Sequence, residues 1–203
     1  EYSYPVEMLN IIEANDSAGN AFALWNWGGY IHWRTDGKLK VYVDGRADTV
    51  FDDETYLRYV TVLGSSPGWL ELVEGSGADY VLWPHARGQG QHKLRELVAT
   101  GRWRPVVSVA VSWLLARTAT VPQNEWLPSS PGPWRDLAVA ANSNRAGDTA
   151  NAIRYADAVR EIMPWHKGAC DLLVGSYRRL GDERKAAEVL TDCRSYFPSA
   201  YLR

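Results

Sequence analysis

Residues 24–53, LWNWGGYIHWRTDGKLKVYVDGRADTVFDD, constrain the fold of this chain more than any other stretch. An apolar run ends at Trp25, Gly28-Gly29 lets the backbone turn sharply into a short aromatic helix, and Leu39-Lys40-Val41-Tyr42-Val43 is rich in β-formers. That run ends in Asp44-Gly45-Arg46-Ala47-Asp48 and feeds a second helix. Strands separated by helices argue for a layered α/β domain, because parallel strands need crossover connections. In open sheets of this kind ligands sit outside the carboxyl ends of the strands. The carboxylates of Asp44, Asp48, Asp52 and Asp53, with Arg46 and several aromatics, gather at such a place.

The flanking segments extend the pattern. A helix follows Pro5, with Val6, Leu9 and Ile12 at helical spacing, and residues 21–25 read as the first strand. After the acidic turn, Asp52 or Asp53 caps a helix that Gly64 ends. Ser66-Pro67 starts another, with the Pro at its first position, and Gly75 closes it. Residues 78–83 read as a third strand and 91–100 as an amphipathic helix stopped by Gly101. Residues 103–117 alternate and are β-branched, long enough to bend into a hairpin near 108–110. The expected fold is a Rossmann-like α/β domain over 1–117, its sheet mostly parallel and antiparallel at one edge.

Pro122, Pro128, Pro131 and Pro133 then mark 118–133 as a stiff linker. Beyond it the sequence repeats. Ala146-Gly147-Asp148 is matched 34 positions later by Leu180-Gly181-Asp182, and Arg145, Ala152, Arg160 and Pro164 by Arg179, Ala186, Arg194 and Pro198. A period of that length with helix–turn–helix texture resembles the tetratricopeptide repeat, in two copies over 134–203. Such a tail implies a protein partner.

Composition narrows the function. A formal charge of −2 gives no electrostatic case for nucleic acid. The longest apolar run, 106–116, is too short to span a bilayer, and no signal peptide is present. A first residue of Glu suggests a fragment or processed product. The 10 Trp suit core packing first, then sugar stacking or a membrane interface. His32, His85, His92 and His166 lack metal spacing, and no cofactor fingerprint occurs. The loop 86–91, between His85 and His92, lacks the phosphate-binding glycine patterns and reads as a mobile surface loop.

Tyr4-Pro5, Asn26-Trp27-Gly28-Gly29-Tyr30 and residues 41–48 together resemble the soluble segment after the membrane helices of bacterial multi-pass proteins of the lipid-phosphosugar glycosyltransferase type. The resemblance covers roughly residues 1–117. It implies an extracytoplasmic domain tethered by upstream helices, on the periplasmic or outer face. It carries over no catalytic residue, since in such enzymes the catalytic acid lies between membrane helices.

Trp25, Trp27, Tyr30 and Trp33 are the candidate wall of a ligand cleft whose floor is Asp44, Arg46 and Asp48. Aromatic faces with convergent polar groups suit a glycan or lipid-linked sugar. The plainer role for Arg46 is to pair with an Asp and hold the turn. A weaker alternative is glycoside hydrolysis by Asp44 and Asp48, which needs two suitably spaced carboxylates. Cys170 and Cys193 fall at the start of one repeat helix and the end of its antiparallel partner. They form either a disulfide, in an oxidising compartment, or a pair of small buried residues.

Overall fold

The computed structural model describes residues 4–85, 89–109, 112–121 and 132–196. The chain divides into two compact units, Glu1–Val106 with Val111–Trp126, and Val107–Ala110 with Leu127–Arg203.

In the first unit, α1 (Val6–Ala14) buries Met8, Leu9, Ile11 and Ile12. Next comes β1 (Gly19–Ala23), which stops two residues short of the expected end. The reason is local: the Trp27 N–H bonds to the Leu24 carbonyl at 2.8 Å, and Trp25–Trp27 close into a 3-10 turn. That turn leads into α2 (Gly28–Arg34) and β2 (Leu39–Val41). A short helix, α3 (Ala47–Val50), occupies the acidic turn. Asp52 then caps α4 (Asp53–Gly64), its carboxylate accepting from the Thr55 N–H at 2.7 Å. α5 (Trp69–Gly75) starts later than Ser66-Pro67 indicated. Its N–H of Trp69 bonds back to the Ser66 carbonyl, so Pro67 lies in a turn, with Gly68 in the left-handed region at φ +86°. β3 (Tyr80–Pro84), α6 (Gly90–Ala99) and β5 (Ser112–Arg117) complete the unit with the first part of β4 (Trp103–Val109), whose residues 107–109 are grouped with the second unit, and the bend between β4 and β5 lies outside the described residues.

The five strands run in the order β2-β1-β3-β5-β4. β1 pairs parallel with β2 and β3, whereas β3 pairs antiparallel with β5. The sheet is therefore mixed, parallel only around β1. One face carries Phe22, which stacks on Tyr42 at 4.8 Å, on Tyr59 of α4 at 5.9 Å and on Trp83 at 6.4 Å. Farther along that face, Lys93 of α6 lies over the Trp69 and Trp83 rings, bonded to the Leu63 carbonyl and to Ser65 Oγ. Burial pushes its ammonium pKa down to about 8. α2 covers the opposite face, with Gly28 against Val41, the last residue of β2, whose side chain alternates with that of Tyr42 just beyond it.

The amino edge of the sheet is held by Glu74 of α5. Its carboxylate accepts from Trp103 Nε1 at 2.7 Å and pairs with Arg102 and Arg117, while the Arg117 guanidinium lies 4.3 Å from the Trp103 ring centre. Trp27, Trp83, Trp103 and Trp113 are all fully buried. Much of the Trp content is core.

The second unit holds α7 (Pro133–Ala146), α8 (Thr149–Ile162), α9 (Lys167–Arg179) and α10 (Glu183–Tyr196). α9 and α10 begin 34 residues after α7 and α8 respectively. The turns repeat too. The Asp148 N–H bonds to the Ser143 carbonyl and the Asp182 N–H to that of Tyr177, across Gly147 at φ +81° and Gly181 at φ +76°. Both aspartates then cap the next helix, accepting from the N–H of Asn151 and of Lys185. Where helices must approach closely the side chains are small: Ala152, Ala156 and Ala186 are buried. A disulfide joins Cys170 to Cys193, with Cα atoms 6.3 Å apart. Of the linker expected over 118–133, residues 122–131 lie outside the described residues, and Pro133 already opens α7.

Candidate functional site

The parallel strands β1, β2 and β3 end at one edge. From β1 the chain runs to β2, and from β3 it runs toward the other side of the sheet, so their carboxyl ends flank a switch point. The loop after β1 supplies Trp25 and Asn26, that after β2 supplies Asp44 and Arg46, and that after β3 supplies His85. Trp25 is 40% exposed, its N–H donating to the Tyr59 hydroxyl at 2.9 Å. Burial raises the Tyr59 pKa, which keeps that hydroxyl protonated.

Asp44 is only 7% exposed. Its Oδ1 accepts from the Arg46 N–H and from Arg46 Nε, both at 3.0 Å, and its Oδ2 accepts from Arg46 Nη2 at 2.6 Å. These bonds hold the Asp44 carboxyl below the usual carboxylate range, the Arg46 side chain contributing most. The Arg46 side chain remains 66% exposed, so its guanidinium is gripped on one edge and open on the other. Asp44 also abuts α2 closely. A methyl group added to Gly28 would lie 2.4 Å from Asp44 Cβ and 2.8 Å from its Cα. The loop carrying Trp25 and the turn carrying Arg46 are therefore neighbours on this edge.

The other expected residues scatter. Trp27 is only 1% exposed and its indole joins the core, so it lines no open wall. Tyr30 and Trp33 project from the flank of α2 away from Asp44. The Tyr30 ring packs at a tilt against Tyr4, with centroids 4.5 Å apart, and against Trp33 at 5.9 Å, and its hydroxyl accepts from Arg34, which is paired with Glu13 of α1. Trp33 is 72% exposed on that flank. The four aromatics do not form one wall over Asp44, because a helix cannot present 28 and 32 together with 30 and 33 on a single face. The Asp48 side chain lies outside the described residues.

Two features escaped sequence reasoning. Tyr59 reaches the site from the middle of α4, with no local signal beyond its place on the buried face. Gly90 opens α6 where an added Cβ would fall 1.8 Å from the Pro84 carbonyl oxygen, so only glycine lets the helix start against the end of β3. Beside it, His85 Nδ1 and Gln91 Nε2 are in contact, and burial lowers the His85 pKa. Residues 86–88 of the intervening loop lie outside the described residues.

Chemically, the edge offers a flat aromatic face, an oriented cation, and neutral hydrogen-bonding groups. It offers no proton donor in Asp44, since a general acid needs a raised pKa and this one is lowered. Among the described residues no cluster of three or more His, Cys, Asp or Glu could hold a metal, and no helix is long and apolar enough to cross a membrane. Compared with models of known families, with curated proteins and with solved structures, the chain gives no match.

Proposed function

We propose that the chain is an extracytoplasmic module of a membrane glycosyltransferase-like protein, which holds a lipid-linked sugar phosphate at the carboxyl edge of its parallel strands without acting on it. The observations that carry this reading are an exposed Trp25 in the loop that leads to Gly28, the packing of Gly28 on Asp44, and an Arg46 side chain that Asp44 bonds yet leaves 66% exposed. An indole face suits the apolar side of a sugar ring, and the open edge of a guanidinium suits a phosphate oxygen. Pre-orienting Arg46 lowers the ordering cost of binding. The Asp44 carboxylate is taken up by three bonds from Arg46, which suits it to holding that side chain in place. The Cys170–Cys193 disulfide supports an oxidising compartment, where such bonds persist.

The test is flotation with vesicles that carry or lack a polyprenyl-phosphate sugar. The wild-type protein is expected to float with the sugar-phosphate vesicles, and Trp25→Ala and Arg46→Gln each to weaken that binding about tenfold, roughly 1.4 kcal/mol. Equal binding to both kinds of vesicle by all three proteins would discard the reading.

A second reading, a protein-interaction scaffold, rests on the helical unit. Its two hairpins share a 34-residue offset and matching turn bonds, which favours a tetratricopeptide-like pair presenting a surface to a protein partner.

A further inference from the structure

α10 is the most weakly packed helix of the second unit. Of its 14 residues only Ala186 and Cys193 are buried, against seven of 13 in α9. Arg184, Ala187, Glu188, Thr191 and Ser195 of α10 are exposed, and the Arg184–Glu188 ion pair among them contributes little. Among the contacts that tie α10 to its neighbours are the Arg160–Asp192 pair, the Arg178–Glu183 pair at 3.8 Å, Lys185 over the Tyr177 ring at 5.4 Å, and the disulfide. Both sulfurs belong to residues only 1% exposed. Cys170 and Tyr177 lie two turns apart on α9, and both meet α10. The spacing therefore puts Leu173 and Val174 on the same stripe.

We propose that α10 is a separately opening element held closed by the disulfide, so that reduction of the bond releases it and uncovers the Cys170–Tyr177 stripe of α9. The chemistry is a two-electron exchange. A dithiol reductant attacks the Sγ–Sγ bond, gives up two electrons and two protons, and becomes a disulfide, leaving thiols at Cys170 and Cys193. Weak apolar burial is what marks an element for low-energy local opening, and a covalent tie near its far end suppresses that opening. With the tie gone, little apolar burial retains the helix, since Ala186 and Cys193 are its only buried side chains. The stripe so exposed is apolar, with Leu173 fully buried in the closed state.

Hydrogen exchange on the whole protein tests this, comparing the oxidised form, the form reduced with a water-soluble phosphine, and a Cys170→Val/Cys193→Ala variant that keeps apolar volume. Thiol alkylation under denaturing conditions verifies each redox state. The expected result is at least a tenfold loss of amide protection in α10 in both forms that lack the S–S bond, with α7, α8 and the sheet unchanged. Unchanged protection in α10 with both thiols free would overturn the proposal, as would equal loss across all four helices. The vesicle result at the sheet edge is independent of either outcome.

Discussion

At the scale of single residues, the local order of the candidate edge depends on how closely Gly28 meets Asp44. Gly28→Ala would force a methyl to 2.4 Å from Asp44 Cβ, and backbone on both sides leaves little room to yield. Overpacking of this kind typically destabilises by about 1–3 kcal/mol. A thermal melt should show Gly28→Ala well below wild type, whereas Gly29→Ala, with nothing within 4 Å of its added methyl, should stay close to it. Similar melting of both variants would show that the turn slides away from α2 at little cost. The sequence marks the Gly-Gly pair as a turn but does not tell its members apart. It also does not separate Trp25 from Trp27. The two differ only in which side of a 3-10 turn they occupy, and that depends on where β1 stops pairing.

At the scale of elements, caps and turns were the legible part. Asp52 caps α4 where an Asp precedes an apolar period, and the matched Gly147 and Gly181 close turns with matching hydrogen bonds, whereas the caps made by Asp148 and Asp182 are seen only in the structure. α3 was missed because four residues are too few to show a period, and the start of α5 moved because Gly68 could adopt a left-handed turn after Pro67. The cap of α9 is less expected, since His166 does the work with neutral Nδ1, which accepts from the Ala169 N–H at 3.1 Å. Burial lowers its pKa below the ordinary value of 6.5. In the window between the lowered and the ordinary value the unfolded chain binds the extra proton, so stability rises with pH there and is lost as pH falls. Below that window the ring is protonated and Nδ1 can no longer accept. Urea unfolding from pH 7.5 to 5 should therefore show stability falling on acidification, and His166→Asn, which keeps a cap acceptor but does not titrate, should lessen the fall. An identical pH slope in the variant would assign the acid sensitivity elsewhere.

At the scale of the whole molecule, the α/β class was readable, because short β-rich runs alternate with segments of helical spacing. The sheet was less readable. The run over 103–117 showed a hairpin, yet nothing local says that β5 inserts between β3 and β4 and so turns a parallel sheet mixed. Strand order follows from which faces α4, α5 and α6 cover, a long-range matter of packing. The candidate edge shares that dependence: its members come from three loops and one helix that only the sheet brings together. The most direct measurement is a two-dimensional amide and indole NMR titration of the whole protein with a soluble short-chain sugar phosphate. The expected result is shifts confined to residues 24–28 and 44–46, including the Trp25 indole, and lost in Arg46→Gln. No shifts there, or shifts only in α7–α10, would contradict a sugar-phosphate site at the carboxyl edge.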